Sequence, residues 1–332
     1  MKKPIGISPM NDMAFKKAFG SPGNEIALIS LLNAILKLPI PIVEVRIMNP
    51  YNLQDFESDK LSILDIKATD RTGATYHIEM QLTPFNGLVQ RIVFYGCELY
   101  AGQLKAGDDY TKLAPVYSIC IVAGILWKDL KKGENAQKVH QRFRLCDLET
   151  GLVLDDTLQI HTLELGRYTV TEAELKTASV EDCWLYWFLY ADQYGPEELL
   201  KLFPEEAFQT ATRAIIQIAE KTEDKAMYDA REKAIRDFQT AISSAHQEGQ
   251  QEGEQKGRKE GRQEGRQEGE QKGRQEGRQE GRQEGALIGR IETFQELLGM
   301  TEATRDELLS FDIPQLTELA DRLQRQLRSR GN

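Results

Sequence analysis

The chain has 332 residues, 40% of them hydrophobic and 28% charged, which is enough for one sizeable core or two modest ones. It contains no apolar run of about eighteen residues and no secretory signal pattern at its start, so we expect a cytoplasmic protein without a membrane partner. The net charge of −10 excludes a generally basic nucleic-acid binder, and any DNA contact must come from a local surface.

The first 245 residues carry the patterns of a domain that mixes helices and strands. The predicted elements are a short helix over 12–19, an amphipathic helix over 25–38, β-rich stretches at 42–48, 61–69 and 74–82, a helix over 85–105 and a strand over 116–122. The apolar side of the second helix is formed by Ile26, Ile29, Leu32 and Leu36. Later helices with Trp184, Trp187 and Phe188 are expected to close the core.

A repeat follows this domain. From Gly249 to Gly289 a glycine stands at every fourth position, giving eleven glycines, in units such as Gly-Arg-Gln-Glu. Each interior glycine costs a helix about 1 kcal/mol relative to alanine. The period of four also stacks like charges, so the isolated segment favours disorder. In a helix, however, the glycine row would allow close right-handed packing on a partner. A flexible linker, a helical association element and direct nucleic-acid contact all stay open.

The last residues, 290–332, are predicted to form two or three short helices. Helical spacing relates two groups of apolar residues, Ile291, Phe294, Leu297 and Leu298 and then Leu316, Leu319 and Leu323. Thr301 and Asp312 are the expected helix starts. Because such a tail buries little surface alone, we expect it to pack on a second copy or on the main domain. The predicted segments are therefore 1–245, 246–289 and 290–332, with self-association through the C-terminal region.

The stretch 61–82 is predicted to be a β-hairpin with one polar face. Its second strand alternates between two groups, Ala74, Tyr76, Ile78, Met80 and Leu82 on one side and Thr75, His77, Glu79 and Gln81 on the other. Arg71-Thr72-Gly73 fits a three-residue loop with a left-handed glycine. If Asp70 faces Ala74, opposed residues have numbers that sum to 144, so Asp65 faces Glu79 and Lys67 faces His77.

Two opposed carboxylates on one face repel each other unless a cation lies between or beside them. A divalent cation with oxygen ligands, most naturally Mg²⁺, is one candidate, since it needs one or two carboxylates. An ordinary ion pair between Lys67, diagonal on the same face, and Glu79 is the other. The spacing alone leaves both interpretations open.

Asp65 followed by Glu79-Met80-Gln81 resembles the Asp…Glu-x-Lys hairpin of the PD-(D/E)XK nuclease superfamily, with glutamine in the lysine position. The flanking sequence is similar to the Rpn family of recombination-promoting nucleases, also described as PD-(D/E)XK family transposases. The matching stretches are 11–20, 31–36 and 91–95, with Tyr100, Gln103 and Leu104 beyond, and a similar glycine-repeat tail occurs in many members. The resemblance covers at least residues 10–125. It implies an α/β fold with a restriction-endonuclease-like core, a mixed sheet flanked by helices, and a C-terminal helical or repeat extension.

The resemblance further implies a Mg²⁺-dependent endonuclease that hydrolyses DNA phosphodiesters and promotes recombination or transposition, or serves in defence. Asp65, Glu79 and the Met80 carbonyl would hold the metal, which would polarise the phosphate and lower the pKa of a bound water. Gln81 can orient that water but cannot accept its proton at neutral pH. The general base is therefore open between a metal-bound hydroxide and Lys67.

Other residues have two interpretations each. Asp12 is either a further catalytic acid, as superfamily members often have, or the N-cap of the first helix. His77 either contacts phosphate or is a bystander on the polar face. The candidates for a local basic surface that approaches DNA are Lys16, Lys17, Lys67 and Arg91. The alternative function is a catalytically inactive nuclease-fold protein that binds DNA or a partner and assembles through its tail.

Overall fold

The computed structural model describes residues 3–51, 66–128, 137–300 and 303–330. The chain divides into two compact units, Met1–Phe238 and Gln239–Asn332. The strands among the described residues are β1 (Arg46–Ile47), β2 (Ile66–Thr69), β3 (Thr75–Gln81), β4 (Val116–Val122), β5 (His140–Arg144) and β6 (Leu158–Glu164). The α-helices are α1 (Asp12–Gly20), α2 (Glu25–Leu36), α3 (Leu88–Ala101), α4 (Val180–Tyr190), α5 (Pro196–Leu202), α6 (Glu206–Glu220), α7 (Thr222–Leu298), α8 (Arg305–Leu308) and α9 (Ile313–Arg330).

The six strands form one mixed sheet in the order β1-β2-β3-β4-β6-β5. The central pairs β3–β4 and β4–β6 are parallel, and the outer pairs are antiparallel. Helix α3 connects β3 to β4, as a parallel pair requires a crossover. A mixed sheet flanked by helices confirms the predicted α/β fold class.

The β2–β3 hairpin has the predicted register. Its pairs run from Thr69–Thr75 to Ile66–Ile78, and all of them sum to 144. The turn is held by Asp70, whose carboxylate accepts hydrogen bonds from the main-chain N–H groups of Thr72 and Ala74 at 2.9 and 3.1 Å. Gly73 takes the left-handed conformation, with φ 88°, which a side chain would disfavour. Local turn chemistry thus sets which residues of β3 share a face.

One face of the sheet packs on the main hydrophobic core. Tyr76, Ile78 and Met80 of β3 enter it from the sheet, and helices α1, α2, α4 and α6 close it from above. Trp184, Trp187 and Phe188 are fully buried there, as predicted. We call this the apolar face.

Helix α3 lies on the opposite face. Its Leu88 and Ile92 form a small apolar cluster with Cys120 and Val122 of β4. The approach is close at Gly96, where a β-carbon would lie 2.9 Å from Leu158 Cδ1 and the end of the Leu158 side chain would have to shift. We call this the polar face, because it also carries the polar residues of β3.

Several predicted elements differ from the structure. Helix α2 ends at Leu36, and Ile26, predicted on its buried side, is 38% exposed. The strand predicted over 42–48 is reduced to Arg46–Ile47. Residues 61–65 of the predicted hairpin lie outside the described residues. Strands β5 and β6 are not predicted from the sequence, because their polar residues hide the strand pattern.

The second unit contains the glycine repeat, which is helical and lies within α7. A β-carbon at any glycine from Gly249 to Gly289 would have no described atom within 4 Å beyond its own helix backbone, so the glycine row is open. The predicted segment boundaries at 245 and 289 fall inside this helix and stay predictions.

The tail packs on the end of α7 and forms a small core of its own. Ile291, Leu298, Leu316 and Leu323 are buried there, as their spacing predicts, whereas Leu297 is 63% exposed. Helix α8 begins after Thr304, and the predicted start at Thr301 lies outside the described residues.

The predicted start at Asp312 is confirmed. Its carboxylate accepts a hydrogen bond from the Gln315 N–H at 2.8 Å, at the beginning of α9. None of the helices described combines the length and the apolar character that crossing a membrane requires.

Candidate active site

The candidate site is a strip of polar side chains on β3 that faces helix α3. His77, Glu79 and Gln81 alternate with the core residues of the strand, so all three point to the polar face. Their partners on β4 are Ser118, Cys120 and Val122. The strip is therefore lined by a parallel strand on one side and covered by α3.

Glu79 is the acid of the strip, and its side chain is 1% exposed. Gln81 Nε2 donates a hydrogen bond to Glu79 Oε1 at 2.6 Å. Arg91, in the first turn of α3, places Nη2 3.0 Å from the same oxygen. A buried carboxylate is costly unless a cation and hydrogen-bond donors compensate its charge, and these two side chains do so.

A second part of the strip surrounds His77. The ring is 1% exposed, and its Nδ1 lies 3.4 Å from Ser118 Oγ. The Tyr95 ring packs edge-on against it, with 5.8 Å between ring centroids. The Arg91 guanidinium lies 5.4 Å from the centroid of the same Tyr95 ring. Tyr95 thus connects the surroundings of His77 with those of Glu79.

Asp65, the predicted partner of Glu79 across the hairpin, lies outside the described residues. The observed register ends one pair short of it, at Ile66–Ile78, and confirms the predicted pairing of Lys67 with His77. The opposition of Asp65 and Glu79 stays a prediction.

Asp12 lies at the first position of α1, a helix packed on the apolar face. The N-cap is Asn11, whose side chain accepts a hydrogen bond from the Met13 N–H at 3.1 Å, so the N-cap interpretation of Asp12 is wrong. The Asp12 carboxylate instead pairs with Arg231, and both side chains are less than 10% exposed. Its place among the catalytic residues stays a prediction.

The predicted basic surface is corrected at two positions. Lys16 and Lys17 are 1% and 7% exposed, and Lys17 pairs with Asp224 of α7. Sequence reasoning did not predict this burial, because lysines usually lie at the surface. In α1, however, every residue is buried, including both lysines. Lys67 and Arg91 are partly exposed on the polar side of the hairpin and of α3.

The structure also changes the expected ion pair. Arg91, rather than Lys67, is the described cation that meets Glu79. Sequence reasoning placed Arg91 near the site but missed this contact, which joins residues twelve positions apart on different elements. The spacing of four between Arg91 and Tyr95 indicates that the two side chains share a face of the helix. This spacing is the feature of the sequence from which their contact could have been predicted.

The donor set suits a hard divalent cation. Glu79 offers carboxylate oxygens and Gln81 an amide oxygen, and Mg²⁺ prefers oxygen ligands. Arg91 already places a positive charge 3.0 Å from the same carboxylate, so Glu79 has a cation as its partner. Across the described ranges, no three His, Cys, Asp or Glu side chains gather as a metal cluster. Asp65, the second carboxylate ligand predicted from the sequence, lies outside the described residues.

Comparison with known proteins gives one match. A family model described as PD-(D/E)XK nuclease family transposase matches residues 9–245, which include the whole sheet and the candidate site. No curated protein and no solved structure matches the chain significantly.

Proposed function

Because the chain belongs to the PD-(D/E)XK nuclease family transposases, we propose that its candidate site is a metal-dependent endonuclease site that hydrolyses DNA phosphodiesters in recombination or transposition. The observation that carries the proposal is the buried Glu79 carboxylate, which meets Gln81 and Arg91 on one face of the hairpin. Nucleases of this superfamily typically use divalent metal ions.

In this proposal Asp65, Glu79 and the Met80 main-chain carbonyl would hold Mg²⁺. The four described pairs of the hairpin all sum to 144, which supports the prediction that Asp65 faces Glu79. The cation would supply Lewis-acid activation of the phosphodiester. Gln81, hydrogen-bonded to Glu79, is placed to orient the attacking water, while Arg91 offers donors to a phosphate oxygen. Lys67, partly exposed and paired with His77, is the candidate to receive a proton.

The test is cleavage of supercoiled plasmid by the full chain with Mg²⁺ and with EDTA. We expect nicking with Mg²⁺ alone, and a loss of at least about 100-fold in Asp65→Ala and in Glu79→Ala, because each removes a charge that holds the cation. Arg71→Gln is the matched control, since Arg71 pairs with the exposed Glu44 at the hairpin turn. Cleavage that survives both alanine substitutions would rule out this site.

The alternative is a non-catalytic nuclease-fold protein that binds DNA or a partner and self-associates through its C-terminal region. The exposed glycine row of α7 supports self-association, since glycines allow helices to approach closely. Sedimentation velocity on the same samples measures self-association independently of cleavage. Assembly without cleavage favours the inactive protein, and a lone monomer argues against self-association.

A further inference from the structure

Two donors converge on a single oxygen of Glu79. Gln81 Nε2 lies 2.6 Å and Arg91 Nη2 3.0 Å from Oε1. The Glu79 side chain is 1% exposed and that of Arg91 is 29% exposed. The carboxylate is therefore buried inside the protein, whereas the Arg91 side chain that contacts it is partly exposed to solvent.

Arg91 has donor capacity that this contact does not use. A guanidinium has five N–H donors in a planar fork, and Glu79 takes the one on Nη2. Arg91 Nε is buried, and no described group accepts its hydrogen bond. A buried donor without an acceptor is unfavourable, and a phosphate oxygen is the acceptor that a guanidinium fork matches best.

A guanidinium and a divalent cation compete for this carboxylate. Both are positive, and at a few ångströms in a buried site their repulsion is strong. Metal at Glu79 therefore favours withdrawal of Arg91, and Arg91 at Glu79 weakens metal binding. By linkage, an anion that draws Arg91 away from Glu79 strengthens metal binding, and the metal strengthens binding of that anion by the same factor.

We propose that Arg91 is an internal counter-ion for Glu79 that leaves the carboxylate to the divalent metal and binds the DNA phosphodiester instead, so that metal and DNA bind cooperatively. This inference rests on the proposed function, because it assumes that the metal uses Glu79. Without DNA, Arg91 neutralises the carboxylate and keeps metal affinity low. With DNA, a phosphate oxygen takes the guanidinium and Glu79 becomes available.

The first measurement is Mn²⁺ binding to the full chain by calorimetry without DNA. We expect Arg91→Gln to bind Mn²⁺ roughly tenfold more tightly than the wild type, because the competing charge is gone. Arg91→Lys keeps a cation and should stay within about threefold of the wild type. Arg71→Gln, which removes an exposed arginine from the same unit, should leave the affinity unchanged. Glu79→Gln should abolish binding at this site.

The second measurement is the affinity for a labelled DNA duplex by fluorescence anisotropy, with and without Ca²⁺ as the metal probe. Ca²⁺ should strengthen DNA binding by the wild type, and the ratio of the two affinities should be smaller in Arg91→Gln. If Glu79→Gln loses Mn²⁺ but Arg91→Gln binds it no more tightly than the wild type, the role of Arg91 is refuted and the nuclease site stands. If neither the wild type nor Arg91→Gln binds Mn²⁺, both proposals fail together.

Discussion

The two faces of the sheet differ in what they bury. The apolar face packs aromatic and aliphatic side chains, among them Trp184 stacked on Phe208 with 3.9 Å between ring centroids. On the polar face the strands themselves bury two acids, Glu79 and Glu164, each surrounded by donors. The apolar side also buries acids, such as Asp12, but on the helices that cover it. Burial of apolar surface stabilises the fold without specific polar partners, whereas a buried acid is stable only while its hydrogen-bond donors and counter-ions stay in place. The comparison indicates that the apolar face holds the domain together, and the chemistry proposed above lies on the other face.

The largest expected effect breaks the apolar face. Trp184→Ala should lower the free energy of unfolding by about 3–5 kcal/mol, because it leaves a cavity in a close-packed aromatic cluster. Urea denaturation followed by circular dichroism measures this loss.

Phe94→Ala, on α3 of the other face, is the matched control. Phe94 is 63% exposed, so its removal should change stability by less than about 0.5 kcal/mol. If Phe94→Ala lowered the free energy of unfolding as much as Trp184→Ala, the conclusion that the apolar face supplies most of the stability would be wrong.

The second prediction concerns a polar cluster within the apolar face. His161 Nδ1 lies 2.9 Å from His140 Nε2, and His140 Nδ1 lies 2.6 Å from Glu181 Oε1. Burial, and then the positive charges of His140 and Arg142, lowers the pKa of His161 to about 3. Glu181 also pairs with Lys37 at 2.8 Å. A histidine with a lowered pKa is protonated more readily in the unfolded chain, so its contribution to stability is complete above about pH 6.5 and is lost as the pH falls toward 3.

We therefore expect the free energy of unfolding to decrease between pH 6.5 and pH 4.5 by up to about 1.4 kcal/mol per pH unit from this group. Urea titrations at several pH values measure the slope. His161→Leu should be less stable at neutral pH, since it leaves His140 Nε2 without its hydrogen-bond partner, but it should show a shallower slope. Equal slopes in the two proteins would show that His161 is not the group that titrates.

The smallest expected effect sharpens the role of His77 on the polar face. Ser118→Ala removes the hydroxyl that lies 3.4 Å from His77 Nδ1, a long contact, and should cost less than about 1 kcal/mol. If His77 is a bystander, plasmid cleavage should change by less than about threefold. A tenfold loss of cleavage with normal stability would instead assign His77 an active part in the site.

The sequence predicted the elements whose pattern arises locally. β4 was predicted to the residue because Val116–Val122 is buried along its whole length, and the hairpin register followed from Asp70 and Gly73. β5 was missed because it is an edge strand with exposed arginines, Arg142 and Arg144. β6 was missed because its buried His161 and Glu164 are satisfied by distant partners.

The candidate site was predicted to a similar limit. Alternation along β3 placed His77, Glu79 and Gln81 on one face, which the structure confirms. The pairing of Glu79 with Arg91 depends on how α3 lies on the sheet, and no local pattern encodes it. The burial of Lys16 likewise depends on helices that surround α1 from later parts of the chain.

The first turns of α7 are bound to α1 within the first unit. Asp224 pairs with Lys17, Arg231 pairs with Asp12, and the Tyr228 hydroxyl accepts a hydrogen bond from the Ser8 N–H at 3.0 Å. A protein shortened to end before residue 222 would leave two buried charges of α1 without these counter-ions, which is strongly unfavourable. One shortened after Phe238 keeps both. The smallest stable fragment therefore has to include the first turns of α7, although none of the proposed chemistry takes place there.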